Sequence, residues 1–301
     1  MWFVLSLVTI LFWSGSDLFS KMGSAEDDKL SHWKMVMSVG SIMGIHAIIS
    51  VIMGAEFSPR DMITYLPASF CYILSMVLGY VGLRYIVLSV STPICNSSGA
   101  VAALLCFFFL GASMEGMQFF AVALICIGVF LLSVIEKRQE DDERKKLGVN
   151  VDKKYSKSFI AVAFPLLYCL IDGLGTFADA WLLDEEIGVI SEEAGNIAYE
   201  LTFLLMAIFA FIYVTVIKKE KIVISKERPK IVAGLCETAG QLAYVYAIGD
   251  NAIVAAPMIS SYCIFSLLWA RIILKEKLMP KQYAVIAIAA VGIIILGIYD
   301  A

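Results

Sequence analysis

Residues 117–146, MQFFAVALICIGVFLLSVIEKRQEDDERKK, decide the fold, because an apolar stretch of membrane length is followed there by a run of charges. A helix needs about 20 mostly apolar residues to cross the hydrocarbon layer of a bilayer. Residues 117–136 meet that requirement. The segment KRQEDDERKK (137–146) has alternating charges and no apolar stripe, so it predicts a solvated linker more than a helix lying on the membrane.

The composition of the whole chain excludes a soluble protein. Of the 301 residues, 60% are hydrophobic and 17% are charged, and the mean hydropathy is +0.84. There is too little polar surface to coat a water-soluble core of this size. A net charge of −4 leaves no basic face for nucleic acid, and two histidines argue against a His-rich metal site. The seven cysteines fall in apolar stretches and do not form a disulfide framework. We predict a polytopic membrane protein without a cofactor.

The same length criterion, applied along the chain, predicts an all-α fold of ten transmembrane helices. They cover residues 2–22, 34–54, 65–88, 92–110, 117–136, 158–183, 193–217, 229–249, 252–274 and 282–299.

Charge placement predicts how these spans are arranged. The linker 137–157 is rich in Lys and Arg and is placed in the cytoplasm, whereas the acidic loop 184–193 is placed outside. The prediction is therefore a first five-helix repeat (1–136), a charged cytoplasmic linker (137–157) and a second five-helix repeat (158–301). Five spans per half invert the orientation of the second repeat and place both termini outside. We expect a multi-pass protein of a bacterial inner (cell) membrane.

A register between the halves supports an inverted repeat. Adding 164 to positions 78–128 gives 242–292 without a gap, which aligns Tyr80 with Tyr244 and Pro93 with Pro257. At an offset of 155, Trp13 aligns with Tyr168. Inverted repeats in membrane proteins usually indicate alternating access, with substrate bound near the midplane where the repeats meet.

Ionisable residues inside the spans are the candidates for that site, since each costs at least about 2.5–3.5 kcal/mol to insert and should face a cavity. Asp172, Glu200 and Glu237 lie deep in their spans, and we predict that they face the cavity. For Asp17, an ion pair with Lys21 and a substrate role both remain open. Asp179 is close to an outer helix end, where it is either wet or functional, and His46 is either a packing residue or a proton relay. The full set is Asp17, His46, Asp172, Asp179, Glu200 and Glu237.

Glu237 is the leading candidate. In IVAGLCETAGQLAYVYAI (231–248) it is surrounded by small residues, and Gln241 and Tyr244 follow at positions that share its helix face. Aromatic residues also occur within the spans: Trp13, Tyr72, Tyr80, Tyr168, Tyr199, Tyr244, Tyr262 and Trp269. Buried carboxylates with aromatic faces suit an organic cation, through charge pairing and cation–π attraction.

The predicted substrate-binding set is Trp13, Tyr72, Tyr80, Tyr168, Asp172, Glu200, Glu237, Gln241, Tyr244, Tyr262 and Trp269. Proton coupling or counter-charge is assigned to Glu237, Asp172, Asp17 and His46.

Several motifs then carry a family resemblance that spans the whole chain. They are FWSGSDLFSK (12–21), Pro93 and Pro257 near the starts of the fourth and ninth spans, LKEKLMPKQ (274–282), and Gly128 with Gly292. The pattern resembles the EamA-type, ten-helix branch of the drug/metabolite transporter superfamily. This resemblance implies a carrier or exporter of amino acids, amines, drugs or other metabolites. Some related carriers take quaternary amines such as choline.

The leading hypothesis is a secondary active transporter of a small organic cation or amine, choline-like or drug-like, with a central cavity. Its partners would be the solute, the lipid bilayer and protons, with no nucleic acid, and it would act as a monomer or homodimer. An exporter of neutral or zwitterionic metabolites such as amino acids is the alternative. An intramembrane enzyme with Asp172 and Glu237 sharing a proton, and a channel, are the other classes to be distinguished.

Overall fold

The computed structural model describes residues 1–23, 28, 30–85, 97–146, 159–184, 187–275 and 278–299. Over these ranges the chain forms eleven α-helices and contains no strand. The all-helical prediction is confirmed. The helices are α1 Trp2–Gly23, α2 Ser31–Ile52, α3 Pro59–Thr64, α4 Leu66–Tyr85, α5 Ser98–Leu105, α6 Gly116–Lys146, α7 Phe159–Leu183, α8 Glu192–Ile212, α9 Ile224–Ile259, α10 Tyr262–Ile273 and α11 Pro280–Tyr299.

Seven helices in the described ranges (α1, α2, α6, α7, α8, α9 and α11) contain stretches long and apolar enough to cross a membrane. Three shorter apolar segments accompany them: Leu66–Ser75, Ser98–Leu110 and Tyr262–Ile273. The large apolar side chains that remain exposed, such as Phe108 and Phe109, suit contact with lipid. The protein is therefore a multi-pass membrane protein.

The eighth and ninth predicted spans end at different places from those expected. α9 covers the whole eighth predicted span and the start of the ninth, and it ends at Ile259. Within it, the backbone of Asn251 is non-helical, with a φ of −157° and a ψ of 74°. A second break separates Ile259 from Tyr262, inside the predicted span 252–274. Pro257 lies inside α9, four residues before the Ser261 position of this second break, and its missing N–H weakens the turn that precedes it.

The fifth predicted span also continues further, because α6 extends to Lys146. Residues 137–146, expected to be a solvated linker, are helical. Lys, Arg, Glu and Gln are good helix formers, so this charged segment can prolong a helix beyond the apolar region. The rest of the predicted linker, residues 147–157, lies outside the described residues, as do residues 86–96 with the predicted break around Pro93.

The helices pack in pairs that join the two halves of the chain. α1 packs on α9, α2 on α8, α4 on α7 and α6 on α11. The contact between α2 and α8 is close because Gly40 lacks a side chain: an added Cβ there would lie 2.2 Å from the carbonyl oxygen of Phe203. These pairings place α1, α4, α5, α7, α8, α9 and α10 around one central space.

A buried ion cluster ties the starts of α2 and α9 together. The Lys34 Nζ lies 2.8 Å from Asp28 Oδ2 and 3.7 Å from Glu227 Oε1, and Glu227 also pairs with Lys230. Partial burial acts against ionisation of Asp28, but its hydrogen bonds and ion pairing, chiefly with Lys34, outweigh it and hold the pKa of that carboxyl below its usual range. This end of the molecule is therefore held by charge pairs.

Candidate functional site

A cavity of about 220 Å³ lies between the helices at the centre of the molecule. It is lined by carboxylates, aromatic rings and small hydroxyl side chains. Those residues are Trp13, Asp17, Tyr72, Ser75, Ser98, Tyr168, Asp172, Thr176, Tyr199, Glu237, Gln241, Tyr244, Ser260 and Tyr262.

Three carboxylates give the cavity its charge. Asp17 Oδ2 accepts a hydrogen bond from the Ser266 hydroxyl at 2.8 Å, and Asp172 Oδ1 accepts one from Ser75 at 3.1 Å. Glu237 lies close enough to Asp17 for their charges to interact. Among the described residues that line the cavity, none is Lys, Arg or His. A cavity with this lining attracts positive charge.

Aromatic rings surround the carboxylates. Trp13 stacks on Tyr244 with their centroids 5.0 Å apart, and Tyr262 meets Trp13 edge-on at 5.9 Å. Gly240 allows the indole to lie against α9, because an added Cβ at that position would be 2.4 Å from Trp13 Cδ1. The Trp13 and Tyr262 rings thus lie beside Asp17 and Glu237, as a cation site requires.

Two buried nitrogen atoms, on residues that line the cavity, have no hydrogen-bond acceptor among the described residues. They are the indole Nε1 of Trp13 and the amide Nε2 of Gln241, a residue only 2% exposed. A buried donor without a partner costs roughly 1–3 kcal/mol. Both donors would gain from an oxygen atom carried by a ligand.

A tyrosine–aspartate cluster adjoins the cavity and consists of Tyr65, Tyr72, Thr176, Asp179 and Tyr244, of which Tyr72, Thr176 and Tyr244 line it. The Tyr65 and Tyr72 hydroxyls donate to the two oxygens of Asp179 at 2.5 and 2.7 Å. The Tyr72 and Tyr244 hydroxyls are 2.6 Å apart, and both lie within 3.3 Å of Thr176 Oγ1. Asp179 is fully buried, so the alternative in which it was merely wet is wrong.

The second break in the ninth predicted span also reaches the cavity. Ala256, Ile259 and Ser260 line it, and Gly99 of α5 packs against this segment. A Cβ at Gly99 would lie 2.1 Å from Ser260 Oγ. Irregular backbone at membrane depth is tolerated where it lines a cavity or is covered by protein, and both conditions hold here.

The structure brings most of the predicted site residues together. Those that line the cavity are Trp13, Asp17, Tyr72, Tyr168, Asp172, Glu237, Gln241, Tyr244 and Tyr262. Asp17 lines the cavity and accepts a hydrogen bond from Ser266, and its two alternatives, a substrate role and an ion pair with Lys21, both stay predictions.

Glu200 and Trp269 were expected in this set, but the structure places them elsewhere. Glu200 faces α2 and contacts His46, and the Trp269 indole donates to Ser14 Oγ at 3.0 Å. Both predictions are corrected for the same reason: the rotation of a helix about its axis, which packing decides, turns these side chains away from the cavity. The side chain of Tyr80 lies outside the described residues.

Sequence reasoning did not include Tyr199, Ser75, Ser98 or Thr176 in the site. A signal for Thr176 was available, because Asp172, Thr176 and Asp179 occupy positions i, i+4 and i+7 on one face of α7. Ser75 likewise follows Tyr72 by three positions on α4. Tyr199 carried the signal of an aromatic residue within a span, although it was left out of the predicted binding set. Ser98 has no comparable signal, since the contacts that place it come from other helices.

Comparisons with known proteins agree with this arrangement. One solved crystal structure of a protein has 12% sequence identity to this chain and a TM-score of 0.71. The match covers 98% of this chain and 96% of that one. At this identity the likeness shows the fold alone. No curated protein matches the sequence. The model of the EamA-like transporter family matches residues 1–134 and 196–298. The chain therefore belongs to the EamA-like transporter family, within the drug/metabolite transporter superfamily, and is a membrane transporter of small solutes.

Proposed function

We propose that this protein is a secondary active transporter of a small organic cation or amine, which it binds in the central cavity. The observation that carries the proposal is the lining: Asp17, Asp172 and Glu237, with aromatic rings and no described Lys, Arg or His. Carboxylates left without a countercharge away from water are costly. A cationic solute supplies that countercharge, and each aromatic face adds about 0.5–2 kcal/mol of cation–π attraction.

The size of the cavity supports a metabolite more than a drug-sized molecule. Its volume of about 220 Å³ is below the ~300–1,000 Å³ of common ligand pockets. A compact amine of the choline type suits this space.

Alternating access is supported by how the helices meet. If the predicted repeats exchange, the α1–α9 contact becomes the α7–α4 contact, and the α2–α8 and α6–α11 contacts map onto themselves. The tyrosine–aspartate cluster beside the cavity is buried around Asp179, whereas Asp17 in the cavity lining is exposed, which supports a structure closed on the Asp179 side and open on the Asp17 side. A second arrangement of the repeats that opens the closed end would complete a transport cycle.

A second candidate, transport of zwitterionic metabolites such as amino acids, is favoured by one observation. The unpartnered Trp13 Nε1 and Gln241 Nε2 can donate to a carboxylate oxygen, while the cavity acids hold an ammonium group. Neutral solutes without an amine have no comparable support.

The test is uptake by purified protein in proteoliposomes, with labelled choline, a primary amine, a zwitterionic amino acid and an uncharged polyol. We expect saturable amine uptake that an inside-negative membrane potential accelerates, and no polyol uptake. Protein-free liposomes serve as the control. Saturable uptake of the amino acid alone would replace the cation assignment with the zwitterion, and uptake of only the polyol would contradict both.

A further inference from the structure

We infer that His46 and Glu200 form a proton-binding site outside the substrate cavity, and that this site couples transport to a proton gradient. The inference rests on the proposed transport function and adds its coupling ion. Neither residue lines the cavity. His46 belongs to α2 and Glu200 to α8, so the site lies at the contact between these two helices.

The two side chains form a close pair. His46 Nδ1 lies 2.9 Å from Glu200 Oε1 and 2.8 Å from Oε2. Glu200 is 0% exposed, whereas the His46 side chain is 35% exposed. His46 is six residues before the end of α2, about 9 Å along the helix axis. One partner is thus sealed in protein, and the other is partly exposed in the last turns of α2.

Charge decides what this pair can hold. With one exchangeable proton it is either an imidazolium–carboxylate ion pair or a neutral imidazole beside a carboxylic acid, and both have no net charge. Loss of that proton leaves one negative charge on a buried carboxylate, which is expensive without a partner. The pair can therefore bind and release one proton, with a change of one net charge.

The other ionisable groups on the helices around His46 and Glu200 are engaged or placed elsewhere, so the proton site is assigned to this pair. Asn196 is a further polar neighbour of Glu200. Lys34 is held in the ion cluster with Asp28 and Glu227, and Glu237 lies in the cavity. The remaining charged groups on α2, α8 and α3, in the part of the chain described, are His32, Glu192, Glu193, Arg60 and Asp61, all within the first turn or so of their helices.

A physical connection runs from the pair to the cavity. Tyr199 precedes Glu200 on α8, lines the cavity and meets Tyr72 edge-on with 5.7 Å between ring centroids. Neighbouring positions on a helix point about 100° apart, so one helix presents Glu200 to α2 and Tyr199 to the substrate. A shift of α8 when the pair loses its proton would move Tyr199. Gly40 and Gly44, packed against Phe203 and Leu204, make this contact too tight to absorb such a shift locally.

The experiment compares choline uptake with and without an imposed pH gradient in proteoliposomes containing wild type, Glu200→Gln, and the double variant His46→Gln with Glu200→Gln. The glutamine side chains introduced at these positions are close in shape to the side chains they replace and can still form hydrogen bonds, but they do not take up or release a proton near neutral pH. Thr202→Val on α8 is the control, because the Thr202 hydroxyl donates within its own helix, to the Ala198 carbonyl, and has no other described partner. Equilibrium binding of labelled choline to purified protein reports whether each variant is folded and keeps its cavity.

We expect the gradient to change wild-type and Thr202→Val uptake by roughly fivefold or more, as a coupling energy of typical size would. Both amide variants should lose that response and keep choline binding within about twofold. A pH-sensitive dye trapped inside the proteoliposomes should show proton movement with choline in wild type and none in the two amide variants. The inference would be overturned if choline uptake by Glu200→Gln still responded to the pH gradient. It would also be overturned, with the proposed function intact, if wild-type choline uptake did not respond to the gradient. Absence of any amine uptake by wild type would remove the proposed function and this inference with it.

Discussion

Asp179 and Glu237 are both carboxylates at the central cavity, yet their surroundings are opposite. Asp179 is fully buried, and each of its oxygens accepts a hydrogen bond from a tyrosine. Glu237 is half-buried in the cavity lining, beside Ser16 and a second acid, Asp17. One carboxylate is satisfied by the protein, and the other is left for something that the protein binds.

The difference teaches how to separate a structural acid from a binding acid in a membrane protein. Buried polar groups are normally hydrogen-bonded, and a cluster that is fully satisfied makes its surroundings rigid. Glu237 has one hydroxyl neighbour, Ser16, and a second acid beside it, so its charge is less well compensated than that of Asp179, and a bound cation would supply the missing compensation. Asp179 should therefore matter most for stability and Glu237 most for transport.

The largest expected effect is that of Glu237→Gln on uptake. Removing a charge-assisted contact worth about 1.5–3 kcal/mol should lower amine uptake at subsaturating concentration by roughly 10–100-fold. Thermal unfolding in detergent should stay the same or occur at a higher temperature, because a poorly compensated charge has been removed. The matched control is Glu193→Gln, the same change at an exposed acid at the start of α8. Unchanged uptake in Glu237→Gln would end its assignment as a substrate ligand.

Asp179→Asn should show the reverse balance. The amide keeps the shape of the side chain but has only one oxygen and no charge, so a tyrosine hydroxyl loses its acceptor. We expect the free energy of unfolding to fall by about 1.5–3 kcal/mol, measured by denaturant titration in detergent, with a smaller loss of uptake than in Glu237→Gln. Full stability together with abolished uptake would show that Asp179 acts on the substrate and that the comparison fails.

The smallest effects sharpen the boundary between the two roles. Tyr65→Phe and Tyr72→Phe each remove one donor to Asp179 and should each cost about 1.5 kcal/mol of unfolding free energy, the lower end for a hydrogen bond to a charged group, because the other tyrosine still donates. Tyr72 lines the cavity, whereas Tyr65 is not among the described lining residues. Only Tyr72→Phe should therefore change the apparent KM for the amine. Equal KM values in the two variants would place the cluster wholly outside the binding site.

Much of the site was predictable because its signals are local. Asp17, Asp172 and Glu237 stand out as carboxylates in apolar helices, and Gln241 and Tyr244 share the face of Glu237 through the 3.6-residue helical period. Glu200 has the same local signal, and the sequence predicts it in the cavity, but the structure places it against His46 instead. Its neighbour Tyr199 faces the cavity instead, and one residue of difference along α8 separates the two roles.

By itself the sequence determined that this is a helical membrane protein, roughly where its helices run, and which side chains are too polar to face lipid, since hydropathy, helix length and charge are properties of short segments. Only the tertiary structure decided which of those polar groups meet. The three cavity carboxylates, the cluster around Asp179 and the His46–Glu200 pair each join residues from different helices far apart in the chain. Such contacts depend on the rotation and pairing of whole helices, which close packing across the chain fixes and no single segment encodes.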